Sequence, residues 1–261
     1  MKLVFITGGS SGIGQALAKA CLQKGWRVAL VARRLEVLQS WANETTQQLN
    51  LTTDRIGVFG ADVQNPDSII AAAENCMAQM GLPDVVIANA GISLGVDTAE
   101  REDLAVMRQV MDTNVLGMAA TFHPFIRAMQ QRGSGSLVGI ASVAGIRGLP
   151  GHAAYCASKA AAISYCESLR GELRTSGLKV ITLAPGYVAT PLTERNRYPM
   201  PFLMHADDFA RQALRRIEQG SAYQVIPWPM GVVTKLLRVL PNSVFDRVLQ
   251  GRPRKHRHSD H

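Results

Sequence analysis

Six short apolar runs alternate with longer helical stretches along residues 3–186, and this alternation restricts the fold more than any other feature. The runs, predicted as strands, are LVFIT (3–7), RVALVA (27–32), IGVFGADV (56–63), DVVIANAG (84–91), SLVGIAS (136–142) and KVITLAPG (179–186). The predicted helices are 13–24, 35–49, 67–80, 101–131 and 155–175. Continuous apolar runs are typical of parallel strands covered on both faces. The pattern predicts an α/β fold: a single-domain, Rossmann-like, doubly wound parallel β-sheet flanked by helices.

Composition agrees with this fold and argues against several other classes. A chain of 261 residues with 47% hydrophobic and 18% charged residues can bury one shared core, so wholesale disorder is not expected. No apolar run reaches the roughly 18 residues of a membrane-spanning helix, and MKLVFITGG is too short for a secretory signal. The four cysteines include no Cys-x-x-Cys pair. Reduced thiols, a cytoplasmic location and no metal site are therefore expected.

A glycine-rich turn, TGGSSGIG (7–14), follows the first predicted strand and begins the first predicted helix. Glycine allows a tight turn and a close approach to a pyrophosphate, and the helix N-terminus presents free N–H groups to that phosphate. A plain tight turn is the alternative interpretation. The position after the first strand favours dinucleotide binding. Cofactor contacts are expected from Gly8, Ser10, Ser11, Gly12, Ile13 and Gly14.

The second predicted strand ends in VARR (31–34), which bears on the choice of cofactor. An NAD site usually has Asp or Glu there to bind the ribose 2′-hydroxyl, whereas this chain has Ala32 followed by Arg33 and Arg34. A guanidinium can bind a 2′-phosphate through two hydrogen bonds. The sequence therefore predicts NADP(H) in preference to NAD(H), unless both arginines only cap a loop.

Tyr155 and Lys159 lie four residues apart in YCASK, about one helical turn, so they project from the same helix face. A phenol with a pKa near 10 is a poor proton donor at neutral pH. A nearby ammonium, together with the positively charged nicotinamide of the oxidised cofactor, favours the phenolate and would lower that pKa toward the working range. Chance is the alternative, because both residue types are common on helix surfaces.

Taken together, these motifs resemble the short-chain dehydrogenase/reductase family. The glycine turn is similar to the family's cofactor turn, ADV (61–63) to its adenine-binding segment, NAG (89–91) to a segment beside the cofactor, and PGYVAT (185–190) to the segment that holds the nicotinamide carboxamide. The cofactor contacts that the resemblance adds are Asp62, Val63, Asn89, Ala90, Gly91, Tyr155, Lys159, Pro185, Gly186, Val188 and Thr190. The matching motifs run from residue 7 to residue 190 in the family's order.

The resemblance also implies a catalytic tetrad: Asn114, Ser142, Tyr155 and Lys159. Tyr155 would protonate a carbonyl oxygen as hydride arrives from the cofactor, and Ser142 would hold that oxygen. Lys159 would bind the ribose hydroxyls of the nicotinamide, and Asn114 would position a water that relays protons. Singly, Ser142 could merely end a strand and Asn114 merely satisfy a bend within its helix.

Residues 187–208, within which TERNRYPMPFLMHADD (193–208) is irregular, are predicted to form a substrate lid beyond the strand ends. Expected substrate contacts are Ser142, His152, Tyr155 and Tyr187, with Met200, Phe202, Leu203 and Met204 as further apolar candidates. Packing against the body of the protein is the alternative. The expected substrate is a small to medium apolar ketone, aldehyde or secondary alcohol.

The C-terminal part departs from many family members, which often end in a glycine-rich segment that builds a tetramer. Here 1–230 is predicted as the catalytic domain, 231–250 as an amphipathic helical extension and 251–261 as a disordered basic tail. The predicted apolar stripe is Val232, Val233, Leu236, Leu237 and Leu240, and Val244, Phe245, Val248 and Leu249 repeat the pattern. These helices either cover the pocket or a partner subunit, or rest on anionic lipid together with the tail.

An NADP(H)-dependent carbonyl reductase or alcohol dehydrogenase is the function that the sequence favours. A non-catalytic cofactor sensor or scaffold is the alternative, but a sensor needs only the glycine turn. A membrane-surface reductase of lipid-like substrates is a further alternative. The expected assembly is a homodimer, with a homotetramer as the other option. No nucleic-acid partner is expected, because no interleaved aromatics accompany the net charge of +8.

Overall fold

Seven parallel strands form one central sheet in the computed structural model, which describes residues 1–194, 196, 199–251 and 257. The order across the sheet is β3-β2-β1-β4-β5-β6-β9, and β7 and β8 form a separate short parallel pair. The strands are β1 (Leu3–Thr7), β2 (Arg27–Ala32), β3 (Ile56–Gly60), β4 (Val85–Ala88), β5 (Gly135–Ile140), β6 (Leu178–Pro185), β7 (Val188–Ala189), β8 (Met204–His205) and β9 (Tyr223–Ile226).

Helices cover both faces of this sheet. They are α1 (Gly12–Gln23), α2 (Leu35–Gln48), α3 (Pro66–Met80), α4 (Asp103–Met111), α5 (Gly117–Arg132), α6 (Ala153–Glu172), α7 (Pro191–Glu194), α8 (Ala206–Gln219), α9 (Trp228–Val239) and α10 (Asn242–Leu249). Alternate residues of β1 point to opposite faces: Ile6 packs in the core with α1, α2 and α8, and Phe5 packs in the core with α3, α5 and α6. The predicted doubly wound, single-domain α/β fold is confirmed.

The chain reverses its direction across the sheet beside β1. β1 pairs with β2 on one side and with β4 on the other, so the crossovers from these strands leave in opposite directions. Ligands in open α/β sheets bind in the crevice that opens at such a point, outside the carboxyl ends of the strands. The glycine turn after β1 and the NAG segment after β4 both lie at this edge.

Several predicted boundaries were wrong. The strand predicted over 56–63 ends at Gly60, and a seventh strand, β9, joins the sheet. The helix predicted over 101–131 is interrupted by a π-helical segment, Asp112–Leu116, between α4 and α5. Side-chain periodicity does not report which carbonyl an amide binds, so the interruption was invisible in the sequence.

The C-terminal helices have apolar side chains on both sides, which corrects the predicted single stripe. Leu237 and Leu240 are half-buried, while Val232 and Leu236 are exposed. On α10, Phe245 is buried beneath the guanidinium of Arg147 at 3.8 Å from the ring centroid, and Leu249 is also buried, whereas Val244 and Val248 are exposed. The apolar residues between Val232 and Leu240 are spread over more than one face of the helix, so they cannot all point inward.

Arg257 is the described residue within the basic tail, apart from Gly251. Its guanidinium forms a two-pronged ion pair with Asp103, with Nε 2.9 Å from Oδ2 and Nη2 3.3 Å from Oδ1. Asp103 is 2% exposed and also accepts the backbone N–H of Asp97. The prediction of disorder for the rest of 251–261 lies outside the described residues. Among the described helices, none combines the length and the hydropathy that crossing a bilayer requires.

Candidate active site

A cleft of about 350 Å³ opens at the carboxyl ends of β1, β2, β4, β5 and β6. Its walls contain most of the residues that the sequence predicted to bind cofactor or perform chemistry. These are Gly8, Ser10, Ser11, Gly12, Ile13, Arg33, Arg34, Asp62, Val63, Asn89, Ala90, Gly91, Ser142, Tyr155, Lys159, Pro185, Gly186, Val188 and Thr190. Residues from 8 to 190 in the chain therefore meet in one place, as expected at the reversal point of a doubly wound sheet.

The glycine turn has the geometry of a phosphate cradle. Gly8 and Gly12 have φ of 69° and 55°, in the left-handed region that glycine occupies at little cost. A Cβ on Gly14 would lie 2.3 Å from the carbonyl oxygen of Gly8, so only glycine fits there. Ser11 precedes α1 without a side-chain capping bond, and the first turn of α1 has no acidic residue. The free backbone N–H groups in the first turn of α1 can therefore donate hydrogen bonds to an anion.

Charged side chains follow β2 and β3 at the far end of the cleft. Arg33 lies 4.0 Å from Asp62, measured from Nη1 to Oδ2, and both side chains are partly exposed. Ala32 and Arg34 line the cleft beside Arg33, and no carboxylate stands at the end of β2. At the position where an NAD site has a carboxylate that binds the ribose 2′-hydroxyl, this end of the cleft has guanidinium groups.

Asn89 ties the ends of β1 and β4 together. Its side-chain amide donates to the carbonyl oxygens of Thr7 and Gly8 at 3.0 and 3.2 Å, and its backbone N–H donates to Oγ1 of Thr7 at 3.2 Å. Thr7 is fully buried. The amide therefore holds the glycine turn at a fixed distance from β4.

Asn114 lies in the π-helical segment and is 1% exposed. Its Oδ1 accepts the backbone N–H of Ile92 at 2.8 Å, and its Nδ2 donates to the carbonyl oxygen of Ile92 and to Oγ of Ser158, each at 2.9 Å. Ser158 in turn donates to the carbonyl oxygen of Tyr155 at 2.8 Å. Asn114 thus connects the loop after β4 to the helix that carries Tyr155 and Lys159.

Tyr155 and Ser142 form a hydrogen-bonded pair in the cleft. Burial raises the pKa of the Tyr155 phenol, while the hydrogen bond with Ser142 lowers it. Ser142 follows β5, is 7% exposed, and its Oγ also accepts the backbone N–H of Ala144 at 3.1 Å. That second bond fixes the hydroxyl against the turn, so that it stands beside the phenol rather than rotating away.

The amine of Lys159 binds the backbone in this structure. Its Nζ lies 5.8 Å from the ring centroid of Tyr155 and donates to the carbonyl oxygen of Ile140 at 2.8 Å. The causes of the phenol's pKa shift are burial, Ser142 and Cys156, and the net direction is upward. Burial lowers the pKa of Lys159 itself from 10.5 to about 8. The spacing correctly predicted one shared helix face. The predicted lowering of the phenol's pKa includes the charge of the oxidised nicotinamide, so it stays a prediction.

Two predicted substrate contacts lie outside the walls of the cleft. His152 is buried before α6, with Nδ1 3.0 Å from the carbonyl oxygen of Pro150, and Tyr187 is half-buried, its carbonyl accepting the N–H of Met204. The four apolar lid candidates, Met200, Phe202, Leu203 and Met204, are also absent from the walls of the cleft, so the lid stays a prediction.

Other residues line the cleft without having been predicted to do so. They are Val31, Ala32, Ala61, Gln64, Ile92, Gln109, Thr113, Ile140, Ala141, Pro191, Leu192 and Thr193. Ile92 and Ile140 contribute backbone groups that hold Asn114 and Lys159. A backbone group that binds a side chain cannot be recognised from residue type. The position of Ile140, at the end of a strand and two residues before Ser142, could nevertheless have indicated that it lies at the cleft.

Comparisons with known proteins agree with this geometry. A family model described as short chain dehydrogenase matches residues 2–200. An uncharacterized oxidoreductase of Myxococcus xanthus strain DK1622 is 40% identical over 245 residues, covering 94% of this chain and 95% of that protein. An alcohol dehydrogenase of the archaeon Thermococcus sibiricus, complexed with 5-hydroxy-NADP, superposes with a TM-score of 0.76 at 25% identity, covering 87% of this chain and 96% of that one. An actinorhodin polyketide ketoreductase with NADPH has a TM-score of 0.77 at 26% identity, covering 86% and 95%.

Proposed function

Because the chain belongs to the short-chain dehydrogenase family, whose members are NAD(P)-dependent oxidoreductases, we propose that it transfers a hydride between NADP(H) and a carbonyl or alcohol substrate. The observation that carries the proposal is the convergence of Ser142, Tyr155 and Lys159 on one cleft that also holds the glycine turn. A cofactor sensor would need the turn but not the buried, hydrogen-bonded phenol. The cofactor supplies the hydride, and the chain supplies binding, orientation and proton transfer.

In the reduction direction, the Tyr155 hydroxyl protonates the substrate oxygen, and Ser142 donates a hydrogen bond to that oxygen as negative charge develops on it. Burial raises the pKa of Tyr155, so the phenol needs neighbouring groups in order to release its proton. Lys159 can be redirected from Ile140 toward the cofactor ribose, since its amine already lines the cleft. There it would fix the nicotinamide end near Tyr155. Asn114 holds the loop at Ile92 and the helix at Ser158 in register.

The test of catalysis is Tyr155→Phe. This change removes one hydroxyl and keeps the ring, so we expect loss of most turnover of NADPH with a panel of ketones and aldehydes. Affinity for NADPH, measured by its fluorescence on binding, should stay within about threefold, a change of less than 1 kcal/mol. Ser142→Ala should lower kcat less steeply. Full activity of Tyr155→Phe on every substrate that the wild type reduces would refute the proposed role.

NADP(H) is the proposed cofactor, supported by Arg33 and Arg34 at the end of β2 and by the Ala32 beside them. Arg33→Ala should weaken NADPH binding by about tenfold or more, since a charge-assisted hydrogen bond contributes about 1.5–3 kcal/mol. NADH binding should change little, which makes it the internal control. Equal losses for both cofactors, or tighter binding of NADH by the wild type, would contradict the preference.

The remaining parts of the proposal concern substrate and assembly. The substrate class is a small to medium apolar ketone, aldehyde or secondary alcohol, and the assembly is a homodimer. Free cysteines at 21, 76, 156 and 166, all buried, support a reducing compartment such as the cytoplasm. The division of the chain into a catalytic domain (1–230), a helical extension (231–250) and a tail (251–261) stays a proposal. Its first boundary falls within α9, which begins at Trp228.

A further inference from the structure

Helix α9 presents an apolar stripe to solvent, formed by Trp228, Val232, Leu236 and Val239. Their exposed fractions are 75%, 48%, 60% and 77%. Successive spacings of four, four and three residues place all four side chains on one helix face. This face is distinct from the buried face of the same helix, where Met230 and Thr234 pack against the body.

Exposed apolar side chains are concentrated on the last two helices. Seven of the fifteen large apolar residues that are exposed in the described part of the chain lie on α9 and α10, which together comprise 20 residues. Single exposed apolar residues are ordinary on protein surfaces, whereas a contiguous group indicates an interaction site.

The stripe is held on a fixed helix. Arg147 donates to the carbonyl oxygens of Leu237 and Leu240, at the end of α9. At its other end, α9 borders the cleft, because a Cβ on Gly186 would lie 3.0 Å from Cγ of Met230. The exposed side chains therefore cannot turn inward without dismantling contacts on the opposite face of the helix.

Charge indicates which partner suits this surface. Within residues 228–251 the cations are Lys235, Arg238 and Arg247, and the one acidic residue is Asp246. Lys235 and Arg238 are both exposed and lie along one side of the stripe, and Arg238 also donates to the carbonyl oxygen of Ile146. A second copy of the chain packed stripe to stripe would bring like charges together. Anionic lipid headgroups would neutralise them, while the aromatic and aliphatic side chains enter the region below.

We propose that the α9 stripe docks on an anionic lipid surface, with the helix lying in the plane of the interface. A Trp at the edge of the stripe fits the headgroup level, where its ring and its N–H both find partners. Docking would bring the cleft beside Gly186 close to the lipid. The inference stands apart from the proposed reaction, since it concerns binding and is measured without turnover.

The test is co-sedimentation of the full chain with phosphatidylcholine vesicles, with and without about 30% phosphatidylglycerol. We expect binding to the anionic vesicles at about 50 mM salt, and at least tenfold weaker binding at about 500 mM salt or to neutral vesicles. Trp228 fluorescence should shift to shorter wavelength on binding. In Trp228→Phe the shift should be lost, because the remaining tryptophans, Trp26 and Trp41, are buried or half-buried.

Matched variants test whether vesicle binding depends on the α9 stripe rather than on exposed apolar residues in general. Leu236→Asn with Val239→Asn should lower vesicle binding at least tenfold, and Lys235→Glu with Arg238→Glu should abolish the preference for anionic vesicles. Leu104→Asn is the control, because Leu104 is 54% exposed on α4. The proposal is overturned by absent wild-type binding, by unchanged binding in the first double variant, or by a dimer that only that variant disrupts.

Discussion

Lys159→Met removes a buried ammonium and should make the protein more stable while it destroys activity. Lys159 is 4% exposed, and burial lowers its pKa from 10.5 to about 8. Because a pKa unit corresponds to about 1.4 kcal/mol, the charged amine costs about 3 kcal/mol of folding free energy at pH 7. Loss of the bond to the Ile140 carbonyl takes back about 1 kcal/mol. The expected net gain is about 2 kcal/mol, or about 5 °C in Tm.

The pH dependence supplies a second, sharper signature. The pKa of Lys159 is lower in the folded chain, so the unfolded chain binds more protons between about pH 8 and pH 10.5, and wild-type stability rises with pH there. The penalty is complete below that window and falls by about 1 kcal/mol between pH 7 and pH 9. The advantage of Lys159→Met should therefore shrink to about 1 kcal/mol at pH 9.

Urea unfolding followed by tryptophan fluorescence at pH 7 and pH 9 measures both quantities, with m-values compared to verify that the same surface unfolds. Lys179→Met, on an exposed lysine of β6, is the matched control and should show no such pH-dependent difference. A Lys159→Met variant that is less stable than the wild type at pH 7, or whose advantage does not shrink at pH 9, would refute the reasoning.

Two further predictions test the cradle and the C-terminal contact. Gly14→Ala should abolish NADPH binding and lower the free energy of unfolding by about 3 kcal/mol or more, because its Cβ would lie 2.3 Å from the Gly8 carbonyl oxygen. Gly171→Ala is the control, because a Cβ at this position of α6 would meet nothing within 4 Å. Scanning calorimetry of both variants should show a lower Tm for Gly14→Ala and an equal or higher Tm for Gly171→Ala. Arg257→Gln should lower the free energy of unfolding by about 2 kcal/mol, since it leaves the buried Asp103 carboxylate without its guanidinium. A urea midpoint equal to that of the wild type would show that this ion pair contributes nothing.

The sequence predicted those parts of the fold and site that depend on residue type at fixed spacing. Glycine at positions 8, 12 and 14 is required by backbone conformation and close approach, so the turn could be recognised directly. Tyr155 and Lys159 share a helix face for the simple reason that a helix repeats every 3.6 residues. The continuous apolar strands predicted a parallel sheet covered by helices on both faces, which is also a consequence of residue type.

Other features depended on partners that residue type does not identify. The carbonyl of Ile140 that binds Lys159, and both backbone groups of Ile92 that hold Asn114, are features of the folded backbone. Burial of the Tyr155 phenol, which raises its pKa, is also a property of the folded chain that the spacing of Tyr155 and Lys159 does not report. On α9 the apolar pattern was visible, but which of its sides faces the body depended on tertiary packing.

The wide turn that contains Asn114 makes the chain sensitive to length in an unexpected place. A π-helical segment is in effect an α-helix with one surplus residue. Deleting any one of residues 112–116 would restore regular spacing, yet it would also rotate everything downstream by about 100° relative to α4. Phe122, Phe125 and Met129, all fully buried on α5, would then swing away from the sheet. The surplus residue thus lets Asn114 keep its position beside the reacting groups while the buried side chains of α5 still face the sheet.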